Sequence, residues 1–143
     1  MAVDPDDVVN VVAPEHLATA VPRPDRDLPA MRALRDIRLT LDEAPVSWGP
    51  TGSVGFELAT RAPTATGTSD LDLVLRAPHL TGAALAQLAE LHGAFGRLGT
   101  RVDCQVETPA GAIALAELTG DTPHVMVRTS DGPRLMPRHH AMT

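Results

Sequence analysis

Seven residues, Asp70-Leu71-Asp72-Leu73-Val74-Leu75-Arg76, constrain the fold of this chain more than any other stretch. Side chains alternate between faces along a β-strand. A strand over 69–76 therefore turns Leu71, Leu73 and Leu75 to one side, and Asp70 and Asp72 to the other. With Cα atoms roughly 7 Å apart, the two like charges repel by about 2 kcal/mol at an effective dielectric of about 20. A half-buried strand keeps such a pair when something positive sits above it. Mg²⁺ is the usual candidate, because it takes one or two carboxylates together with substrate phosphates. The open face of this strand points to chemistry on phosphates.

The other periodicities assemble around it in an α+β order. Leu28, Met31, Leu34, Ile37 and Leu41 fall on one helical stripe, and Asp27 and Pro29 suit its first turn. Arg32, Arg35 and Arg38 lie off that stripe, on a solvated surface. The run Trp48-Gly49-Pro50-Thr51-Gly52-Ser53 reads as a turn, followed by a short helix over 54–60 whose N-terminus lies near Ser53. After a loop at 63–68 and the acidic strand, Thr81 is placed to cap a helix with Leu85, Leu88, Leu91, Phe95 and Leu98 on its apolar face. Gly99 would close it in the left-handed conformation.

Residues 101–107 alternate again, with Val102, Cys104 and Val106 on one face and Arg101, Asp103, Gln105 and Glu107 on the other. Thr108-Pro109 opens a further helix to Leu118, stopped by Gly120. Segments 124–129 and 134–136 flank Ser130-Asp131-Gly132-Pro133, a hairpin signal. Towards the N-terminus, residues 8–12 suit a short strand, 14–18 a turn of helix and the proline-rich 21–27 a linker. The expected fold is α+β, a small mixed β-sheet backed by helices. Its units are a poorly defined segment 1–27, a domain over 28–138 and a tail over 139–143.

Composition narrows the function classes. At 143 residues the chain can bury one real core. Its net charge of −6 argues against a surface built for non-specific nucleic-acid binding, and 2% aromatic content argues against base stacking on an aromatic platform. No apolar run approaches the roughly 20 residues of a membrane span. The N-terminal residues lack the basic start and apolar centre of a signal peptide, and the single cysteine suits a reducing cytoplasm. Lysine is absent, so phosphate contacts fall to arginine forks, backbone N–H groups or metal.

Phosphoryl transfer needs a cradle for the leaving group, metal on the transferred phosphate and an in-line nucleophile. Gly52 and Ser53, opening a short helix, suit the cradle, because first-turn N–H groups point at an anion and glycine lets it come close. Asp70 and Asp72 suit the metal, and Asp103 on a neighbouring strand has the parity to complete the set. A glycine-serine turn, Asp-x-Asp on an alternating strand and a later strand aspartate form the pattern of polymerase-β-type nucleotidyltransferases.

The flanking residues sharpen that resemblance. Residues 48–60, Ser69-Asp70-Leu71-Asp72-Leu73 and the run from Asp103 to Leu115 together resemble the phosphoribosyl-dephospho-CoA transferase of malonate decarboxylase, its holo-acyl-carrier-protein synthase. The similarity extends from about Leu28 to about Leu135. It implies a polymerase-β palm-like nucleotidyltransferase fold and an enzyme that moves phosphoribosyl-dephospho-CoA from a triphosphoribosyl-dephospho-CoA donor to a serine of the acyl carrier subunit, releasing pyrophosphate. It implies Mg²⁺ on Asp70 and Asp72, Gly52 and Ser53 on the phosphate tail, and Asp103 as third ligand or base. Family members carry a separate N-terminal lobe, of which residues 1–27 would be a remnant. Two other readings stay open: a nucleotidyltransferase using ATP on another acceptor, and a shortened carrier-binding protein without turnover.

Arg76 and Arg101 share parity with the aspartates and are expected to bind phosphate; the alternative for each is solvent. Arg128 alternates away from Val125 and Val127, and Arg61 has no spacing that favours a phosphate over solvent. Glu57 reads as a helix-surface residue, Glu107 as a rim residue, Cys104 as core and Trp48 as a packing anchor. His139 and His140 fall in the polar tail, read as disordered rather than metal-binding.

Overall fold

The computed structural model describes residues 13–142. The strand expected over 8–12 lies outside them. Leucine, methionine and isoleucine at helical spacing give α1 (Pro29–Glu43), with Met31, Leu34, Ile37 and Leu41 buried and Pro29 in its first turn. The chain continues through β1 (Ser47–Thr51), α2 (Gly52–Thr60), β2 (Leu71–Arg76), α3 (Gly82–Phe95), β3 (Val102–Thr108), β4 (Gly111–Ala114), α4 (Leu115–Leu118), β5 (His124–Thr129), β6 (Gly132–Pro137) and α5 (Arg138–Ala141). The expected helical turn near the N-terminus is a 3₁₀ turn, Pro14–Leu17. The fold is mixed α+β, as expected.

Among the described residues, six strands form one sheet in the order β1 to β6. All neighbours are antiparallel except β2 and β3, which run parallel. A parallel pair needs a crossover connection, and α3 supplies it. Leu71, Leu73, Leu75, Cys104, Val106, Ile113, Val125 and Val127 are buried with the apolar sides of α1 and α3. Thr81 Oγ1 accepts from the Ala84 N–H at 3.1 Å and caps α3 as its sequence suggests.

Four expectations change. The turn at 48–53 contains β1, whose Trp48 and Pro50 pair with Leu75 and Leu73. A proline is tolerated because β1 is the edge strand of the sheet among the described residues. The helix expected from Thr108 to Leu118 is instead a hairpin followed by the single turn α4. Gly111 adopts φ +140°, Thr108 Oγ1 donates to its carbonyl at 2.8 Å and Ile113 is buried between Val106 and Val127. Pro109-Ala110 therefore acts as a two-residue turn, and pairing on both sides overrides the helical period. Helix α3 stops at Phe95, and Gly99 does not take the left-handed role assigned to it. His139 and His140 lie in α5, whose Ala141 is buried, rather than in a disordered tail.

Among the described residues, no helix is long and apolar enough to cross a membrane.

Candidate active site

The parallel register of β2 and β3 builds the site. Asp72 lies directly beside Asp103, and Leu71 beside Val102. Parallel neighbours share a face, so both carboxylates project from the side opposite the leucines, which the helices cover. Asp70 precedes β2 by one residue with the same parity; its Oδ2 lies 3.9 Å from Arg101 Nε, both groups solvent-exposed. The fold therefore brings Asp70, Asp72, Asp103 and Arg101 to one end of the sheet's open face.

Electrostatics record that gathering. Burial holds the Asp72 carboxyl above its usual range; the charges of Asp103 and then Asp70 push it the same way, while Arg101 pulls it back. Adjacent strands lie roughly 5 Å apart, closer than residues i and i+2 along one strand, which is why Asp103 acts on Asp72 more strongly than Asp70 does.

Thr51, the last residue of β1, pairs with Asp72, and the chain turns there into α2. Gly52 has φ +63°, the left-handed region that side-chain-bearing residues avoid. A Cβ on Gly52 would lie 2.0 Å from Asp72 Oδ2, so glycine alone allows the helix start to sit against this carboxylate. The Thr51 side chain does not cap the α2 N-terminus, whose first turn begins at Gly52-Ser53 beside Asp72. The expected cradle and carboxylates thus share one corner. Thr51 was not singled out from sequence; the only signal for it would have been recognising β1.

Arg76 does not join them. It lies four residues beyond Asp72, roughly 13 Å along β2. There its Nε donates to Glu15 at 2.7 Å and its Nη1 to Glu107, tying the 3₁₀ turn onto the open face. Its assigned phosphate role does not fit a guanidinium already held by two carboxylates. Close packing under the same turn explains Gly49, where a Cβ would strike the Pro14 carbonyl at 1.8 Å.

Other side residues divide. Glu57 is buried, not on a helix surface: it accepts from Arg26 Nε at 3.0 Å, Arg26 Nη2 at 2.9 Å and the Thr64 and Ala65 N–H groups. Arg38, expected in solvent, is half-buried and donates to the Ala20 carbonyl. Trp48 is an anchor as expected, its Nε1 donating to Asp42 at 2.8 Å. Cys104 is core, with burial pushing its thiol pKa up. Arg61 donates to the Val21 carbonyl, and Arg128 is exposed.

Among the described residues, no three His, Cys, Asp or Glu side chains converge as a ready-made metal cage. The donor set is nevertheless hard oxygen on a single face, and two such carboxylates with phosphate oxygens satisfy Mg²⁺. The missing Cβ of Gly52 lets the start of α2 pack directly against the Asp72 carboxylate. These residues fit Mg²⁺ shared with a phosphate ligand better than a cation held by protein alone.

The family described as phosphoribosyl-dephospho-CoA transferase MdcG C-terminal domain matches residues 16–139. A phosphoribosyl-dephospho-CoA transferase of Pseudomonas aeruginosa is 42% identical over 123 residues, covering 86% of this chain and 58% of the relative. One from Pseudomonas fluorescens is 41% identical over 125 residues, 87% of this chain and 59% of the relative. One from Klebsiella pneumoniae is 40% identical over 99 residues, 69% of this chain and 47% of the relative. The chain thus spans less than two thirds of the length of these curated relatives. No solved structure matches it significantly. A matched segment that includes every residue of the carboxylate corner, with identity near 40% to several such enzymes, makes this chain a member of the family of phosphoribosyl-dephospho-CoA transferase MdcG C-terminal domains.

Proposed function

We propose that this chain is the transfer part of a phosphoribosyl-dephospho-CoA transferase with a polymerase-β palm-like nucleotidyltransferase fold. In this reading it moves the phosphoribosyl-dephospho-CoA group of a triphosphoribosyl-dephospho-CoA donor to a serine of the malonate decarboxylase acyl carrier protein. The observation that carries it is the register of Asp72 beside Asp103, with Gly52 packed against the Asp72 carboxylate.

Asp70, Asp72 and Asp103 would hold Mg²⁺, which when bound supplies positive charge against the donor's phosphates. First-turn N–H groups at Gly52-Ser53 receive the leaving pyrophosphate. In-line displacement brings the serine oxygen from the opposite side, and Asp103, in its alternative role as base, would take its proton. The serine O–P bond forms as the P–O bond to pyrophosphate breaks, and pyrophosphate leaves with the bonding pair. Arg101, exposed beside Asp70, is free to swing onto a donor phosphate.

The test is to incubate the chain with donor, Mg²⁺ and apo-carrier protein and weigh the carrier by mass spectrometry. A gain equal to the transferred group is expected, and Asp72→Asn should abolish it. No gain from folded protein counts against the reading. Labelling with ATP in place of the CoA-derived donor would favour another nucleotidyl transfer, and carrier binding without pyrophosphate release would favour a non-catalytic role.

A further inference from the structure

A cleft of about 700 Å³ opens beside Asp103, between the C-terminal end of α3, the first residues of β3 and α4. That volume falls within the roughly 300–1,000 Å³ of small-molecule sites. Phe95, Leu98, Val102 and Leu115 contribute apolar walls, and Arg101 contributes a fixed cation. By contrast, the cleft lined by Arg26, Arg32 and Arg38 touches none of the site carboxylates.

The rim between α3 and β3 carries Gly96 and Gly99, and a Cβ added at Gly99 would meet nothing within 4 Å. Bare backbone there lets a flat heterocycle approach N–H and C=O groups edge-on. The chain has no tyrosine and its single tryptophan is buried in the core, so apart from Phe95, itself largely buried, a base in this cleft is gripped by aliphatic walls and edge hydrogen bonds. Arg101 stands between this cleft and Asp70, where it can meet a diphosphate.

We infer that this cleft binds the adenosine diphosphate portion of the donor's dephospho-CoA moiety, an inference that rests on the transferase reading. The base fills the apolar part against Leu98 and Leu115. The diphosphate lies at Arg101, and the reacting phosphate lies beyond, at Asp72 and Asp103.

Calorimetry with dephospho-CoA, ADP and pantetheine as separate probes tests this on the whole chain, with Gly99→Trp and Ala116→Trp as cleft-filling variants. Dephospho-CoA and ADP should bind and pantetheine should not. Each variant should weaken both nucleotides by about tenfold or more, with unchanged circular dichroism and unchanged pyrophosphate affinity. Failure of dephospho-CoA to bind, binding of pantetheine in place of ADP, or unchanged dephospho-CoA affinity in both variants would each overturn it. So would loss of apo-carrier binding in the variants with nucleotide binding intact, because that would make the cleft an acceptor dock. Nucleotide binding that the variants weaken, in a chain that transfers nothing, would support the subsite and sink the transferase reading. Transfer that continues with unchanged nucleotide affinity would do the reverse.

Discussion

Glu57→Gln isolates the buried ion pair behind the site. Glu57 holds two hydrogen bonds from Arg26 and two from backbone N–H groups, and its pKa falls from the ordinary 4.5 to about 2. The Arg26 bonds are the largest cause, opposed by burial and helped by the Thr64 and Ala65 amides. A fall of about 2.5 in pKa corresponds to about 3 kcal/mol, discounted to about 2 kcal/mol because Arg26 remains about a quarter exposed. The folded value lies below the unfolded one, so this stabilisation is fully present above about pH 4.5. It is lost as pH falls towards 2. Glutamine keeps the shape but removes the charge opposite Arg26, which retains its bond to the Ala65 carbonyl, at a cost of about 2–3 kcal/mol near neutral pH. Urea unfolding of both proteins at a series of pH values measures it. The stability gap should be widest at neutral pH and close progressively below about pH 4.5. A gap that stays constant down to about pH 2.5, or none at neutral pH, would refute the reasoning.

Gly52→Ala combines left-handed strain of about 1–2 kcal/mol with a Cβ placed on Asp72 Oδ2. Thermal melts should show a drop of that size, and transfer should fall by about a hundredfold as the carboxylate is displaced. Asp72→Asn should abolish transfer yet raise stability near neutral pH. The sign follows because the folded Asp72 pKa lies above the unfolded one, so its ionisation destabilises the fold as pH rises; denaturant melts that show a loss instead would contradict it. Thr81→Ala removes the α3 cap and should cost about 1 kcal/mol by the same melts, without changing nucleotide affinity.

Local alternation was enough to reveal β2 and β3, and with them the parity of Asp72 and Asp103, because a period of two places side chains without knowledge of neighbours. Helix α1 was legible for the same reason, its stripe being strong and its proline well placed. β1 was not legible: Trp48-Gly49-Pro50 has turn composition, and only pairing with β2 makes it a strand. The segment from Gly111 to Leu118 has helical residues but is claimed by Val106 and Val127 on either side. Glu57 resembled a surface glutamate because its partner lies 31 residues away, in a stretch that reads as linker. Arg76 had the right parity and the wrong neighbours, since Glu15 arrives from a distant turn.

The sequence alone determined that the chain folds as helices on a sheet and that one strand carries Asp70 and Asp72 opposite its leucines, because backbone periodicity is a local property. It also placed a glycine-serine helix start ahead of that strand. The tertiary structure decided the rest: the parallel crossover that sets Asp103 beside Asp72, the approach of Gly52 to the Asp72 carboxylate, the diversion of Arg76 into an ion pair and the cleft beneath Asp103. Each depends on which distant residues meet, and that is fixed by burying the leucine face under two helices.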